Sequence, residues 1–165
     1  MKRVGPHEAS PVHLVLDGTP VVLEASSRQS LAEAIRSVKP TAVHLGCEEG
    51  ACGSCTVMVD GPTVRSCTVL AVQCESAAVT TAAGLGDRAE DLRLALMEHF
   101  AFQCGFCASG FVVVAAEFLG GLEGEIPDEA AIREAIAGCV CRCTGYASIV
   151  AAIRTVAAER AGETG

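Results

Sequence analysis

Cysteine content constrains the fold of this 165-residue chain more than any other feature, because ten cysteines are present. Five of them lie in the first half of the chain: Cys47, Cys52, Cys55, Cys67 and Cys74. The other five lie in the second half: Cys104, Cys107, Cys139, Cys141 and Cys143. A secreted protein would join so many thiols in disulfides, whereas a protein in a reducing compartment uses them to bind metal or to catalyse reactions.

The N-terminus does not have the pattern of a secretion signal. Residues 1–6 are not followed by an apolar run, and they contain no twin-arginine pair. The longest strongly apolar stretch, from Phe111 to Ala116, is too short to cross a bilayer. We therefore expect a cytoplasmic protein without a membrane span, whose cysteines bind metal rather than form disulfides.

The net charge argues against one class of partner. The chain has 20 acidic and 12 basic residues, which gives a formal charge of −8. Nucleic-acid binding requires a basic surface that neutralises phosphates, so we expect no nucleic-acid partner. An acidic surface is compatible both with simple solubility and with docking to a basic protein.

Hydrophobic periodicity predicts an α+β chain in two parts. In the first part, residues 10–82, apolar runs flank Asp17-Gly18 and Asp60-Gly61, which are typical turn pairs of β-hairpins. Residues 31–38 of the same part have Leu31, Ile35 and Val38 at the spacing of an amphipathic helix. A sheet with one helix packed across it is the simplest assembly of these elements.

The second part, residues 83–160, shows only helical periodicity. Its four predicted apolar stripes are Leu92–Ala95–Leu96–Phe100, Phe111–Val114–Ala115–Phe118, Ile132–Ile136 and Ile149–Ile153–Val156. Asp128 is the predicted N-cap of the third helix. Four short helices with short connections favour a small bundle, and the small residues at 80–87 are predicted to form a linker between the two parts.

The first cysteine group contains the motif C-x4-C-x2-C and a fourth cysteine after eleven intervening residues. Cys47, Cys52 and Cys55 share one nine-residue loop, and Cys67 completes the set. This is the spacing of plant-type ferredoxins, in which four thiolates hold a [2Fe–2S] cluster. Glycines in the loop let the backbone curl around the cluster and direct N–H groups at the sulfurs. A zinc knot is the alternative, although zinc sites usually take two separate cysteine pairs.

The second group contains Cys104-Gly105-Phe106-Cys107 and, after 33 intervening residues, Cys141-Arg142-Cys143. This combination of spacings favours a cluster but is also compatible with zinc. Cys107 and Cys143 precede predicted helices, whose N-terminal N–H groups and positive dipole ends suit an anionic cluster. Cys139 would share a face with Cys141 and Cys143 in an extended segment, so it is either an alternative ligand or a buried thiol.

Three runs of the sequence resemble one family in order and spacing. The runs are GCEEGACGSCTV at 46–57, QCGFC at 103–107 and CRCTGY at 141–146. Over about residues 12–155 they are similar to the small iron–sulfur subunit of the xanthine oxidase family. That family includes carbon monoxide dehydrogenase, aldehyde and N-heterocycle hydroxylases, and hydroxybenzoyl-CoA reductase. The chain differs from the usual family pattern at Ala108-Ser109, where Thr-Pro is common, and at Cys139-Val140, where Asn-Leu is common.

The resemblance implies a plant-type ferredoxin-like (β-grasp) domain at residues 10–82 and a four-helix-bundle iron–sulfur domain at residues 83–160. Each domain would hold one [2Fe–2S] cluster, and the eight ligands would be Cys47, Cys52, Cys55, Cys67, Cys104, Cys107, Cys141 and Cys143. The chain would be the electron-transfer subunit of a molybdenum hydroxylase.

The same resemblance implies two partner subunits. Electrons would pass from a molybdenum–pterin cofactor on a large subunit, through the helical-domain cluster and then the ferredoxin-like cluster, to FAD on a medium subunit. Gln103 and Cys143 match the family positions that hydrogen-bond the pterin. The complex would be a dimer of heterotrimers.

Two other classes of function are compatible with parts of the sequence. A free-standing ferredoxin-type carrier explains the first motif but not the second half, and a mean hydropathy of +0.41 suggests apolar surface reserved for partners. A zinc-stabilised structural protein explains the cysteines alone. No nucleophile–base pair or nucleotide-binding loop is present, so substrate chemistry would belong to partner subunits. Cys74 is predicted to be core, and His44 a loop residue rather than a Rieske ligand, because no second histidine lies near it.

Overall fold

The structure is a computed structural model that describes residues 8–163. The strands are β1 (Ala9–Leu16), β2 (Thr19–Ser26), β3 (Thr56–Val59), β4 (Thr63–Arg65) and β5 (Ala78–Thr80). The α-helices are α1 (Leu31–Val38), α2 (Glu90–Glu98), α3 (Ala108–Gly120), α4 (Glu129–Ile136) and α5 (Ala147–Glu163). Two 3₁₀ segments lie at Ala71–Cys74 and Ala83–Ala89. The predicted α+β class is confirmed.

The five strands form one sheet in the order β2-β1-β5-β3-β4. Strands β1 and β2 pair antiparallel, as do β3 and β4, whereas β1 and β5 are parallel. Asp17 and Gly18 close the first hairpin with φ of 51° and 77°, which is the left-handed geometry that a two-residue hairpin turn requires. Both predicted hairpins are therefore confirmed.

Helix α1 packs against this sheet. Its N-cap is Ser30, whose hydroxyl accepts from the Glu33 N–H while the Glu33 carboxylate accepts from the Ser30 N–H. Leu31 and Ile35 are fully buried, as the periodicity predicts. Val38 is 46% exposed, so the apolar stripe ends before the last turn of the helix.

Helices α2 to α5 enclose a second core. The predicted members of the four stripes that are buried there include Leu92, Leu96, Phe111, Val114, Ile132, Ile136, Ile149, Ile153 and Val156. Asp128 caps α4 as predicted, since its carboxylate accepts from the Ala131 N–H at 2.8 Å. Within residues 8–163, no helix is both long and apolar enough to cross a membrane.

Phe100 departs from the predicted stripe of α2. The helix ends at Glu98, and Phe100 is 86% exposed with a left-handed φ of 47°. The Phe100 N–H donates to the Met97 carbonyl and the Ala101 N–H to the Leu96 carbonyl, which is the Schellman pattern of helix termination. The reversal buries Ala101 completely and turns Phe100 outwards, so the prediction that Phe100 belongs to the buried stripe is wrong.

The segment at 80–87, which is predicted to be a linker, is packed against the rest of the chain. Thr80 ends β5, and Thr81 is fully buried. The Thr81 N–H and hydroxyl donate to the two carboxylate oxygens of Asp17 at 2.7 and 3.0 Å. Leu85 is also buried, so the connection between the sheet and the helices is packed rather than loose.

The helices contact the sheet region directly. The backbone N–H and hydroxyl of Thr63 donate to the Glu117 carboxylate on α3 at 2.8 and 2.7 Å. The Arg65 guanidinium donates to the Gly138 carbonyl at 2.6 Å, at the end of α4. These contacts bring the two cysteine-bearing regions next to each other.

Candidate metal centres

The loop between α1 and β3 gathers three of the predicted ligands of the first site. Glu48, Gly50 and Gly53 all have left-handed φ, at 60°, 82° and 77°, and these reversals curl the loop. The Cys52 N–H donates to the Cys47 sulfur at 3.3 Å. Hydrogen bonds from the backbone N–H groups of Glu49 and Cys52 lower the pKa of the Cys47 thiol to about 7. The loop thus directs N–H groups at sulfur, as its glycines predict.

The sulfurs of the first site form two pairs. Cys47 contacts Cys52 within the loop, and Cys55, which directly precedes β3, contacts Cys67, which follows β4. Burial is the largest influence on Cys67 and raises the pKa of its thiol to about 11. All four predicted cysteines are therefore brought together by the loop and the second hairpin.

The second site has the same paired arrangement. The sulfurs of Cys104 and Cys143 are 3.6 Å apart, and the thiol of Cys107 contacts that of Cys141. Cys104 and Cys143 are exposed, whereas Cys107 and Cys141 are buried. Burial, followed by the neighbouring Cys141, raises the pKa of the Cys107 thiol to about 12. Cys107 directly precedes α3, as the sequence predicts.

Gln103 lies at the exposed side of the second site. Its side-chain amide donates to the Cys143 backbone carbonyl at 3.2 Å. Gln103, Cys104 and Cys143 therefore converge on one solvent-exposed edge, in the region between α2 and α3 and just before α5.

Paired sulfurs are the arrangement that a two-iron cluster needs, because each iron takes two thiolates. A four-cysteine zinc site instead needs all four sulfurs about 3.8 Å from one another, as Zn–S bonds of about 2.3 Å in a tetrahedron require. Among residues 8–163, no three His, Cys, Asp or Glu side chains surround one point as a mononuclear ion would need. The donor set at both sites fits a [2Fe–2S] cluster.

Cys139 faces the first site rather than the second. It is buried, and a Cβ built on Gly53 would lie 3.0 Å from the Cys139 sulfur. Burial raises the pKa of this thiol to about 11, and its charged neighbours are Arg65 and the cysteines of the first loop. Of the two alternatives that the sequence leaves open for Cys139, the buried thiol fits this position, because the thiol is not in contact with Cys141 or Cys143 among the contacts described for it. Cys74 is buried in the sheet core, as predicted.

His44 connects the two sites, a role that its sequence position does not reveal. Its imidazole Nδ1 lies 2.8 Å from the Phe106 carbonyl oxygen, and the rings of the two residues stack with centroids 5.1 Å apart. Because a carbonyl only accepts, Nδ1 is the protonated nitrogen in this contact. Phe106 lies between Cys104 and Cys107, so the bond fixes the second cysteine loop against the first.

Tyr146 holds the segment of Cys141 in place. Its hydroxyl accepts from the Cys141 N–H at 2.9 Å and donates to the Cys139 carbonyl at 3.1 Å. Its ring packs edge-on against Phe111 of α3. Neither this contact nor the bond from the Val140 N–H to the Cys52 carbonyl, at 2.9 Å, could be found from spacing alone.

Comparisons with known proteins identify two iron–sulfur domains in this chain. Residues 14–85 match the 2Fe-2S iron-sulfur cluster binding domain, and residues 81–154 match the [2Fe-2S] binding domain. The nicotine 6-hydroxylase small subunit of Paenarthrobacter nicotinovorans is 37% identical, over 93% of each chain. The aldehyde oxidoreductase iron-sulfur-binding subunit of Escherichia coli K12 is 34% identical, over 92% of this chain and 73% of that subunit.

Solved structures show the same fold. A chain of quinoline 2-oxidoreductase from Pseudomonas putida superposes with a TM-score of 0.86 and 37% identity, covering 96% of this chain and 98% of that one. Aldehyde oxidoreductase from Desulfovibrio desulfuricans superposes with a TM-score of 0.85 and 36% identity. There the match covers 93% of this chain but 17% of the longer relative.

The fold, the two sets of paired sulfurs and the two domain matches define an iron–sulfur protein with two [2Fe–2S]-binding domains. The chain belongs to the family of small iron–sulfur subunits of xanthine, nicotine and aldehyde oxidoreductases and dehydrogenases. It is an electron-transfer subunit of a multi-subunit oxidoreductase rather than a free-standing ferredoxin. The relative that it matches over 93% of each chain is itself the small subunit of a hydroxylase.

Proposed function

We propose that this chain serves a molybdenum hydroxylase. When bound, the two [2Fe–2S] clusters supply one-electron carriers between a molybdenum–pterin cofactor on a large partner subunit and FAD on a medium partner subunit. The observation that supports this most is the pairing of eight cysteine sulfurs into two adjacent sets, one of which opens at a solvent-exposed edge.

The proposed boundary between the two domains lies between residues 82 and 83. Residues 10–82 are the ferredoxin-like (β-grasp) domain, with Cys47 and Cys52 on one iron and Cys55 and Cys67 on the other. Residues 83–160 are the four-helix-bundle domain, in which the iron ligands are the pairs Cys104–Cys143 and Cys107–Cys141. The sulfur contacts within each pair support this assignment.

The chain's own residues keep the two proposed clusters at a fixed separation. The Cys52 carbonyl accepts from the Val140 N–H, so a ligand residue of the first site is one hydrogen bond from the neighbour of Cys141. The bond between His44 and Phe106 adds a second connection between the two cysteine loops. Thr63 and Arg65 fasten the hairpin behind the first site to the helical domain.

The exposed edge of the second site is the proposed contact with the pterin. Gln103 and the backbone of Cys143 already bond to each other there, and both have polar groups at the surface. On this proposal, Gln103 and Cys143 hydrogen-bond the pterin, each bond contributing about 1 kcal/mol. The complex is proposed to be a dimer of heterotrimers in the cytoplasm, where a reducing environment keeps the ten thiols from forming disulfides.

The experiment that tests this function is compositional analysis of the complex purified through a tag on this chain. We expect about four irons and four sulfides per chain, together with molybdenum and FAD on partner subunits, and two distinct EPR signals after reduction. Stoichiometric zinc or a single cluster signal would overturn the ligand assignment. Two clusters without any molybdenum-containing partner would overturn the hydroxylase assignment.

A further inference from the structure

Phe100 has a backbone conformation that disfavours its own side chain. Its φ of 47° places it at the residue after the C-cap of α2, where helices ending in this pattern usually have glycine. A Cβ in the left-handed region crowds the backbone, so an aromatic residue there is less stable than glycine would be. The chain therefore loses stability by carrying phenylalanine at position 100.

The side chain of Phe100 does not compensate within this chain for that loss. It is 86% exposed, which is more than any other large apolar side chain among the described residues. The neighbouring Met97, on the last turn of α2, is 65% exposed. An aromatic side chain that stabilises neither its helix end nor a core is typical of an anchor that becomes buried in a partner.

A groove of about 560 Å³ lies beside these two side chains. Its lining is mostly apolar and includes Leu96, Met97, Phe100, Phe102 and Val112. The guanidinium of Arg93 is already paired within the chain, because it donates to the carbonyls of Ala82 and Gly86 and lies 3.8 Å from the Glu90 carboxylate. We refer to Met97, Phe100 and this groove as the α2 patch.

The position of the α2 patch indicates which partner covers it. Phe100 is three residues before Gln103, and three residues span at most about 11 Å of extended chain. A subunit whose cofactor contacts Gln103 and Cys143 therefore lies within reach of the patch. In the aldehyde oxidoreductase of Desulfovibrio desulfuricans, the region matching this chain is 17% of one long polypeptide, so in that relative this fold is covalently joined to a much longer stretch of chain.

We propose that the α2 patch is the docking surface for the large, molybdenum-holding subunit, which contributes an apolar segment to the groove and covers Phe100. This inference rests on the proposed function, because that function supplies the partner. Phe100 acts as an anchor of the interface, and Gln103 at its border contacts the cofactor.

Replacement of Phe100 by glycine tests the proposal, because stability of the chain and assembly of the complex should change in opposite directions. For the chain alone, Phe100→Gly is expected to leave both EPR signals intact and to leave the Tm equal or higher. For the complex purified through a tagged chain, the same variant should raise the Kd for the large subunit at least tenfold, measured by mass photometry on dilution and by molybdenum per chain.

Ile126→Ala is the matched control, since Ile126 is also a large apolar side chain, 56% exposed, but lies in the loop before α4, outside the patch. It should leave the Kd unchanged. Equal retention of molybdenum in wild type and Phe100→Gly would overturn the docking surface and leave the proposed function standing. If Phe100→Gly instead lost only the FAD subunit, or weakened an association between copies of this chain, another partner would cover the patch and the proposal would be wrong. Absence of a molybdenum subunit from the wild-type complex would overturn the function and the docking surface together.

Discussion

Gly53 illustrates how single residues fix the distance between the two sites. It lies between Cys52 and Cys55 and is buried, with a φ of 77°. A Cβ at this position would collide with the Gly138 carbonyl and would lie 3.0 Å from the Cys139 sulfur. Two effects therefore require glycine here, the left-handed backbone and the close approach of the segment that leads to Cys141.

Gly53→Ala is expected to destabilise the protein by more than its backbone strain alone. The matched control is Gly18→Ala, because Gly18 has the same φ of 77° and nothing within 4 Å of the added Cβ. Strain should cost about 1 kcal/mol in both variants, and overpacking should add about 1–3 kcal/mol at position 53 only. Denaturant unfolding followed by cluster absorbance measures both. Equal losses in the two variants would mean that the contact with Gly138 is not tight.

The cysteine pairs make a second prediction at this scale. Cys52→Ser should remove one EPR signal and Cys107→Ser the other, because each ligand sulfur contacts only ligand sulfurs of its own site. Some loss of stability is expected in each variant, since metal binding contributes to folding. Cys74→Ala and Cys139→Ala are the controls and should keep both signals, since both thiols are buried and neither belongs to one of the four sulfur pairs. A cluster lost with Cys139→Ala but kept with Cys141→Ser would reverse the ligand assignment.

An ion pair between Arg160 and Asp91 joins helices α2 and α5. The Arg160 guanidinium contacts both oxygens of Asp91, at 2.7 and 2.9 Å, and also donates to the Arg88 carbonyl. Arg160 is the main reason that the pKa of Asp91 lies below its usual value. The pair connects the first helix of the bundle to the last.

Asp91→Asn should lower the free energy of unfolding by about 0.5–1 kcal/mol at pH 7, the range for a partly exposed ion pair. Because the folded pKa is depressed, this stabilisation is fully present above the unfolded pKa, near 3.8, and is lost as pH falls through the folded value. The difference between wild type and variant should therefore be constant from pH 8 to about pH 5. Glu129→Gln, in an exposed pair within α4, is the control and should cost a few tenths of a kcal/mol.

Elements that depend on local sequence could be predicted, whereas contacts between distant segments could not. The Asp17-Gly18 turn, the α4 cap and the cysteine loop each result from residues within a few positions of one another. The bond of His44 to Phe106, by contrast, joins positions 62 residues apart. Periodicity and spacing carry no information on such pairs. For the same reason the sequence leaves two alternatives open for Cys139.

At the scale of the whole molecule, the two cysteine sites are parts of one packed unit, and the second site has an exposed edge. The first site is joined to the helices through Val140, Arg65 and His44, so its loop is fixed from several sides. The second site has two ligands buried and two exposed. A protein built in this way can exchange electrons at the exposed edge while the distance between its own sites stays constant.

Gln103→Ala tests the function of that open edge within the complete complex. Gln103 bonds to the Cys143 carbonyl but is not a proposed iron ligand, so both EPR signals should remain. Loss of one hydrogen bond, worth about 1 kcal/mol, should slow reduction of the clusters by substrate about fivefold. Stopped-flow absorbance of the complex after mixing with substrate measures this rate.

Two further variants separate a pterin contact from general disturbance. Gln103→Glu keeps the length of the side chain but replaces the amide donor by an oxygen, so it should slow the reaction at least as much as alanine does. Gln73→Ala is the control. The Gln73 side chain accepts from the Leu70 N–H in the sheet domain, so its loss should leave the rate unchanged. If the clusters of Gln103→Ala were reduced at the wild-type rate, Gln103 would be a structural residue of the Cys143 segment and the pterin contact would have to lie elsewhere on the exposed edge.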